Sequence, residues 1–328
     1  MSPKTILLTG GAGYVGSVCT EALISSGYNV VVLDNLRSGN RQAVHPDAVF
    51  IKGNVGNLSL LKSLFNQHEF YVVMHFAAET LVTAASTDPH RYFVNNLTRG
   101  LSLLKAMNQA GCRRIIFSST AAVYGEPVSV PVLELHPTAP LNAYGESKLM
   151  FERVLGYFQN AYGFRSVIFR YFNAAGASKR YGEWHQPETH LIPLVLLALA
   201  GERAHVDIYG QDYDTRDGTC VRDYVHVRDI AAAHLLGLDQ IDSLGYAVFN
   251  LGNGRGFSVR EVIRAAEEIA NFKIKTKLRA RRSGDPANLV ASSQKAMDEL
   301  GWQPQQPTLQ QIVGSAWKWQ QQHRYDNP

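Results

Sequence analysis

Cysteine is scarce in this chain. Three of 328 residues, Cys19, Cys112 and Cys220, lie far apart with no C-x-x-C pair. That pattern excludes a disulfide framework and a cysteine zinc site, so no metal is expected, and it suits a reducing, cytoplasmic compartment. An excess of one charge is lacking too. Lys and Arg number 32 against 28 Asp and Glu, and the net charge of +4 is spread along the chain. So weak a balance argues against nucleic acid as a partner, although single arginines can still serve an anionic small molecule. No apolar run is long enough for a membrane. The longest, Leu191–Ala200, is about half a span and contains Pro193, which suggests a buried helix and no membrane partner. A signal-peptide pattern is also missing, because Met1–Lys4 passes directly into an apolar strand. Low-complexity tracts and short repeats are absent.

What is present is regular alternation. Apolar residues make up 45% of the chain, enough for an ordinary core, and the length suits about two domains. Short β-branched strands are expected at Thr5–Thr9, Asn29–Leu33, Val49–Ile51, Val72–His75, Arg114–Ser118, Ser166–Tyr171 and Val248–Leu251. Helical patterns fall between them at Val15–Ser26, Ser59–Gln67, Pro89–Ala110 and Ala143–Tyr162. Strands alternating with helices predict an α/β fold, a Rossmann-like doubly wound parallel sheet covered on both faces. From about residue 174 the alternation fails. Ala174–Glu188 reads as a loop, Leu191–Gly201 as a helix, and Asp223–Ile241 as a strand and a helix. Val259–Asn271 and Leu309–His323 read as helices, with a strand at Lys273–Leu278. The expected division is a nucleotide-binding domain over 1–173, which also receives a core strand near 246–252. A smaller mixed α/β lobe, mainly for substrate, is expected over 174–328.

The first turn reads T-G-G-A-G-Y-V-G, with Gly10, Gly13 and Gly16 spaced as G-x-x-G-x-x-G between a strand and a helix. That placement lets backbone N–H groups and the helix N-terminus face a pyrophosphate with no Cβ in the way. Glycines alone make any tight strand–helix turn. Here the next strand ends in Asp34, eighteen residues after Gly16. A carboxylate there accepts hydrogen bonds from an adenosine ribose diol and repels a 2′-phosphate, which favours NAD over NADP.

Ile115–Gly125 reads I-I-F-S-S-T-A-A-V-Y-G, a strand ending in hydroxyl residues at the carboxyl edge of the sheet. Tyr144 and Lys148 follow as Y-G-E-S-K, one helical turn apart on one face. An ammonium beside a phenol favours the phenolate, so Tyr144 becomes a base near neutral pH, with Thr120 passing it the proton of a substrate hydroxyl. Each motif alone is common. Together, behind a glycine loop, they point to alcohol–ketone chemistry by hydride transfer.

In this order G-x-x-G-x-x-G, S-S-T and Y-x-x-x-K resemble the extended short-chain dehydrogenase/reductase superfamily. Further segments resemble its UDP-glucose 4-epimerase family: L-D-N-L at 33–36, H-F-A-A at 75–78, N-N at 95–96 and R-Y-F-N-A-A-G-A at 170–177. The similarity continues through I-Y-G-Q-D-Y-D-T-R-D-G-T-C-V-R-D-Y-V-H-V-R-D-I at 208–230, Y-A-V-F-N-L-G-N-G at 246–254 and R-R-S-G-D-P-A at 281–287. The resemblance implies an isomerase acting on a UDP-hexose through a 4-keto sugar, with NAD as a retained cofactor. It implies that Tyr14, Val15, Asp34, Asn35, Leu36, Ser38, Gly39, Asn54 and Val55 line the adenosine and pyrophosphate site. Phe76, Ala77, Ala78, Asn95, Lys148 and Phe172 then complete the cofactor pocket. On the substrate side it implies Asn173, His190, Leu191, the backbone at Tyr209, Arg222 and Arg282 at the diphosphate, Asp285 at the uridine ribose, and Leu289. A homodimer is implied as well, with Pro89–Ala110 and Ala143–Tyr162 as the candidate pairing helices.

The chain departs from the family pattern at several places. Asn54 stands where an aspartate is frequent, Thr80 where many members have a lysine, and Val82-Thr83-Ala84-Ala85 replaces V-G-E-S. His190 replaces a frequent asparagine. One rival, a 4,6-dehydratase, needs an acid and a base after the threonine, and Ala121 and Ala122 stand there. Other rivals are a 4-epimerase of a UDP-pentose or UDP-uronate and a non-catalytic NAD-sensing protein, which would not need the Thr120–Tyr144–Lys148 set. Leu289 falls where some epimerases carry a tyrosine that narrows the hexose pocket. The smaller leucine leaves room for an acetamido group, so the purified protein is expected to turn over UDP-N-acetylgalactosamine as well as UDP-galactose. No detectable turnover of the acetamido sugar would remove that expectation.

Overall fold

The computed structural model describes residues 3–81, 85–282 and 285–322. Its centre is a seven-stranded parallel sheet. In chain order the first elements are β1 (Thr5–Thr9), α1 (Tyr14–Ser25), β2 (Asn29–Asp34), β3 (Val49–Lys52), α2 (Leu58–Gln67) and β4 (Phe70–His75). Then come α3, β5 (Arg114–Thr120), α4 (Ala143–Tyr162) and β6 (Arg165–Tyr171). Helix α3 is a continuous run of Pro89–Tyr92, Phe93–Thr98 and Arg99–Gln109, whose middle segment is π-helical. β7 (Asn173–Ala175), α5 (Leu191–Leu199), β8 (Val206–Tyr209), β9 (Val221–Arg222), β10 (Tyr224–His226) and α6 (Val227–Leu244) follow. The chain continues through β11 (Tyr246–Leu251), β12 (Phe257–Ser258), α7 (Val259–Ala270), β13 (Thr276–Arg279), β14 (Asn288–Leu289), α8 (Gln294–Leu300) and α9 (Leu309–Gln322).

The sheet order is β11-β6-β5-β4-β1-β2-β3. The order reverses between β1 and β4, the switch point at which open α/β sheets bind ligands. Strand periodicity sends Ile6 and Leu8 to one face and Leu7 to the other. The first face packs with Val18 and Leu23 of α1 and Ile230 and Leu238 of α6. The second packs with Leu61 of α2, Leu103 of α3 and Phe151 and Leu155 of α4. Helices therefore cover both faces, as the alternation of the sequence predicts, and β11 joins the edge of the sheet beside β6.

A further core lies beyond residue 174. Ile192, Val195 and Leu196 of α5 pack there with Val262 and Ala266 of α7 and Ile312 and Val313 of α9. The apolar run at 191–200 is thus a partly buried helix, and no helix among the described residues is long and apolar enough to cross a membrane. Strands β7, β8, β9, β12 and β14 and helix α8 are not apparent in the sequence pattern. The strands have two to four residues each, too few for a period to show. The expected strand at Lys273–Leu278 begins three residues later, at Thr276. Residues 82–84 of the V-T-A-A departure and His323 of the last expected helix lie outside the described residues.

Helix α4 carries the buried polar network that locks the sheet to the site. Asn142 caps its N-terminus by accepting the N–H of Gly145, and Gly163 ends it in the left-handed conformation. Glu152 on its inner face receives Nη2 of Arg170 at 2.6 Å and Nε at 3.1 Å. Arg170 Nη1 also donates to the Tyr124 hydroxyl at 2.9 Å, which donates to Asn250 Oδ1 at 2.7 Å, and Ser119 donates to Glu152. The network ties α4, β5, β6 and β11 together with few hydrogen bonds unmade. Removing one partner leaves a buried, unpaired guanidinium. Glu152→Ala is expected to cost about 3–5 kcal/mol of unfolding free energy in urea titration, with Glu152→Gln losing less. An Ala variant within about 1 kcal/mol of wild type would show that solvent reaches this pair.

Candidate functional site

The glycine loop leaves β1 and doubles back against the end of β4. Gly10 sits at φ +80°, and a Cβ there would stand 2.6 Å from the Ala77 nitrogen. A Cβ on Gly16 would meet the Gly10 carbonyl at 2.3 Å. Gly13 is the N-cap of α1 and offers no side-chain cap, so the first N–H groups of the helix stay open to an anion. Asp34 ends β2, with one carboxylate oxygen accepting Ala12 N–H at 3.0 Å and the other Leu36 N–H at 2.8 Å. Burial raises its pKa, and these N–H groups oppose the rise. A carboxylate has about four acceptor positions, so two remain for a ribose diol.

These residues open onto one cavity of about 630 Å³, the size of a small-molecule site. Every cofactor residue expected from the sequence lines it except Leu36. Leu36 instead turns the chain after Asp34, at φ +59°. Asn54 is at the wall, but its Oδ1 already accepts the Gly56 N–H at 2.8 Å, and Thr80 is at the wall as well. The π-helical segment of α3 carries Asn95 to the cavity. Its neighbour Asn96 is buried against Ser147 of α4, donating to the hydroxyl at 3.0 Å. Extra residues of this kind inside a helix are frequent at functional sites, and here one brings adjacent amides to separate tasks.

Thr120, Tyr144 and Lys148 meet at the same cavity. Thr120 ends β5, its hydroxyl oxygen accepts the Ala122 N–H at 3.1 Å, and it stands close enough to Tyr144 to influence the phenol. Tyr144 lies in the first turn of α4, and Lys148 follows one turn later. The lysine side chain is held by the sheet. Its Nζ donates to the Ser118 carbonyl at 2.7 Å and lies 4.8 Å from the centre of the Phe117 ring. Burial raises the Tyr144 pKa, with the Thr120 hydroxyl opposing, and burial pulls Lys148 down to about 7 against the pull of Glu152. The phenol therefore holds its proton in this state. A depressed tyrosine pKa needs positive charge brought close to the ring from elsewhere in the cavity.

The other expected residues line the far part of the cavity: Asn173, His190, Leu191, Tyr209, Arg222, Arg282, Asp285 and Leu289. Arg222 and Asp285 form an ion pair, and the Arg282 guanidinium stacks on the Tyr209 ring at 3.9 Å. Arg222 and Leu289 are register partners of β9 and β14. His190 turns its Nδ1 to Glu183 at 2.7 Å and Glu188 at 3.2 Å. Sequence reasoning missed Glu79, which lines the cavity and pairs with Arg37 at 3.1 Å and Arg91 at 2.5 Å. Nothing local marks it, because its partners come from separate loops and helices. Glu183 and His185 were also missed, although a Glu/His alternation at 183–190 was there to be seen.

The model of the family described as "NAD dependent epimerase/dehydratase family" matches residues 6–252. A curated UDP-glucose 4-epimerase of Halalkalibacterium halodurans is 47% identical over 321 residues, 97% of this chain and 96% of its own. A crystal structure of a UDP-glucose 4-epimerase superposes with a TM-score of 0.95 at 44% identity, covering 98% of this chain and all of that one. The Bifidobacterium longum UDP-glucose 4-epimerase, solved in complex with NAD+ and UDP, gives 0.92 at 38% identity, covering 97% and 98%.

The position of Lys148 has a consequence for stability. Its pKa is about 7 folded and about 10.4 unfolded, so between those values the unfolded chain holds a proton that the folded chain has released. Unfolding free energy attributable to this residue must then rise with pH across that window. The advantage of Lys148→Met over wild type in urea is expected to be largest near pH 6 and to shrink towards pH 9. A difference independent of pH would show that the lysine pKa is not lowered.

Proposed function

The chain belongs to the NAD dependent epimerase/dehydratase family, and we propose that it interconverts UDP-galactose and UDP-glucose with NAD as its retained cofactor. The observation that carries the proposal is the sharing of one cavity by the glycine loop, the Thr120–Tyr144–Lys148 set and the Arg222 and Arg282 guanidiniums. The cavity fits the dinucleotide by its own chemistry. The turn at Gly10 and Gly16 excludes side chains, the first turn of α1 is uncapped, and Asp34 is held for a diol and against a 2′-phosphate. In this assignment Gly13, Tyr14, Val15, Asn35, Ser38, Gly39, Asn54 and Val55 surround the adenosine and pyrophosphate. Phe76, Ala77, Ala78, Asn95 and Phe172 surround the nicotinamide half.

Bound NAD supplies the acceptor and donor for the hydride at carbon 4 of the sugar. The chain supplies the proton traffic. Tyr144 takes the proton of the 4-hydroxyl, and Thr120, beside it at the same cavity, holds the same oxygen in line. Burial alone keeps Tyr144 protonated, so an adjacent positive charge makes it a base, and loss of that charge makes it an acid again. Lys148 sits beside this centre and orients the nicotinamide ribose. Arg222 leaves its pairing with Asp285 to meet the diphosphate, and Arg282 joins it, since a guanidinium fork matches phosphate oxygens. With the diphosphate held by Arg222 and Arg282, the 4-keto sugar would be free to turn about its bond to phosphate and present its other face to the cofactor. Asn173, His190, Leu191, Tyr209, Asp285 and Leu289 bound the nucleotide and sugar.

Residues 1–173 together with β11 make up the dinucleotide-binding unit in this account, and most of the chain from 174 binds the UDP-sugar. Exposed Leu101 on α3 and Tyr157 and Tyr162 on α4 support a homodimer paired through these helices. Three buried, free thiols support a cytoplasmic setting. A dehydratase is disfavoured because Ala121 and Ala122 follow Thr120 without a carboxylate, and an NAD sensor has no use for the hydroxyl pair. The test is direct. Purified protein without added NAD is expected to convert UDP-galactose to a mixture with UDP-glucose. Tyr144→Phe should keep its thermal midpoint and lose about 10²–10⁴-fold in rate. Near-normal epimerisation by the folded Phe variant would contradict the proton assignment.

A further inference from the structure

The segment between β7 and α5 carries Glu183, His185, Glu188 and His190. One ligand-capable atom from each lies within 4.8 Å of all the others. Among the four side chains, His185 Nδ1 lies 3.3 Å from Glu183 Oε1 and 3.8 Å from Glu188 Oε2. His190 Nδ1 lies 3.2 Å from Glu188 Oε1 and 2.7 Å from Glu183 Oε1. Around a tetrahedral zinc ion with bonds of about 2.0–2.1 Å, ligand atoms stand about 3.4 Å apart. Three of these distances, taken to one or the other oxygen of Glu188, are within about half an ångström of that spacing. The fourth has hydrogen-bond length and needs to open by about 0.7 Å.

Charge and hydrogen bonding favour a cation over packing alone. Glu183 and Glu188 are nearly buried, their side chains 9% exposed, and they face the same pair of imidazoles. Nδ1 of His185 is buried and makes no hydrogen bond, although two carboxylates lie near it. An unprotonated imidazole nitrogen aimed at two carboxylates is desolvated without a hydrogen bond, and a cation between them removes that cost. A divalent ion balances both carboxylates and takes both imidazoles as ligands, displacing the proton that Glu183 and Glu188 otherwise hold on His190. Glu188 is already oriented for the task, because its Oε1 accepts the N–H groups of Thr189 at 2.7 Å and His190 at 2.9 Å.

We propose that Glu183, His185, Glu188 and His190 form a tetrahedral site for a divalent transition metal, with zinc preferred. Imidazole donors disfavour calcium and magnesium, and two imidazoles with two carboxylates suit zinc. Four protein donors close the coordination sphere, which makes the site structural. Its place in the fold says what it holds. Glu183, His185 and His190 line the main cavity, and Tyr14 of the glycine loop reaches the same segment by donating to the Gly176 carbonyl at 2.5 Å. The metal pins the segment as a wall of the cavity and fixes the start of α5. This reverses the expectation of no metal, which rested on cysteine alone, and it turns Nδ1 of His190 away from the substrate.

The test uses the full chain without a histidine tag. After gel filtration in metal-free buffer, elemental analysis is expected to find about one zinc per chain. After chelation, added Co²⁺ should give visible d–d bands of tetrahedral intensity that zinc abolishes, and zinc should raise the thermal midpoint by several degrees. Glu188→Gln and His185→Asn should lose the bands and the zinc-dependent shift. Less than about 0.1 metal per chain, with no cobalt bands and no shift in the wild type, would overturn the site, leaving a His190–Glu183 ion pair in its place. Folded variants that bind as well as wild type would overturn the ligand assignment. Should both variants fail to fold, the wild-type cobalt spectrum and stoichiometry still decide.

Discussion

Arg170 and Glu152 meet in the dry interior under the site, and the registration of α4 on the sheet follows from their pairing. Tyr144, Lys148 and Glu152 are spaced by four residues each, so they form one stripe along the inner face of the helix. The last member is held by two bonds from Arg170 on β6. The first therefore reaches Thr120 at the end of β5 and the second reaches the carbonyl of Ser118 on the same strand. Burying two charges is costly, and a well-packed apolar pair of the same volume could match its stability. What the ion pair adds is position. An apolar contact tolerates sliding by an ångström, whereas a two-pronged guanidinium–carboxylate contact does not.

Position matters because the proton chemistry at this site is set by small electrostatic differences. Burial shifts Tyr144 towards the neutral phenol and Lys148 towards the neutral amine. Burial disfavours the charged form of each, so each responds to what enters the cavity. The diphosphate end is arranged in the same way. Arg222, its side chain largely buried, is paired with Asp285, and the exposed Arg282 is oriented by stacking on the Tyr209 ring.

Much of this was legible in the sequence. The strand–helix alternation, the G-x-x-G-x-x-G turn and the carboxylate at Asp34 each express a local requirement, and local requirements leave local patterns. Spacing was enough to bring Tyr144 and Lys148 to one face. It could not say where the flexible lysine side chain ends, and Lys148 ends on the Ser118 carbonyl. Leu36 matched a motif, but its part is to turn the backbone. The π-helical segment that carries Asn95 leaves no trace in helical periodicity. Two-residue strands such as β9 and β14, which set Leu289 beside Arg222, exist only because the chain brings distant segments together. The Glu/His run at 183–190 was visible, yet a loop-like composition hid it.

The central claim is that a hydride leaves and returns within one enclosed site while a single tyrosine carries the proton. Deuterium at carbon 4 of UDP-galactose follows that hydride. The measurement is the deuterium content at carbon 4 of the UDP-glucose formed in ordinary water, read by mass spectrometry and proton NMR. The account predicts full retention together with a slowed rate for the deuterated sugar. Loss of the label to water would contradict it, because the hydrogen would then have moved as a proton.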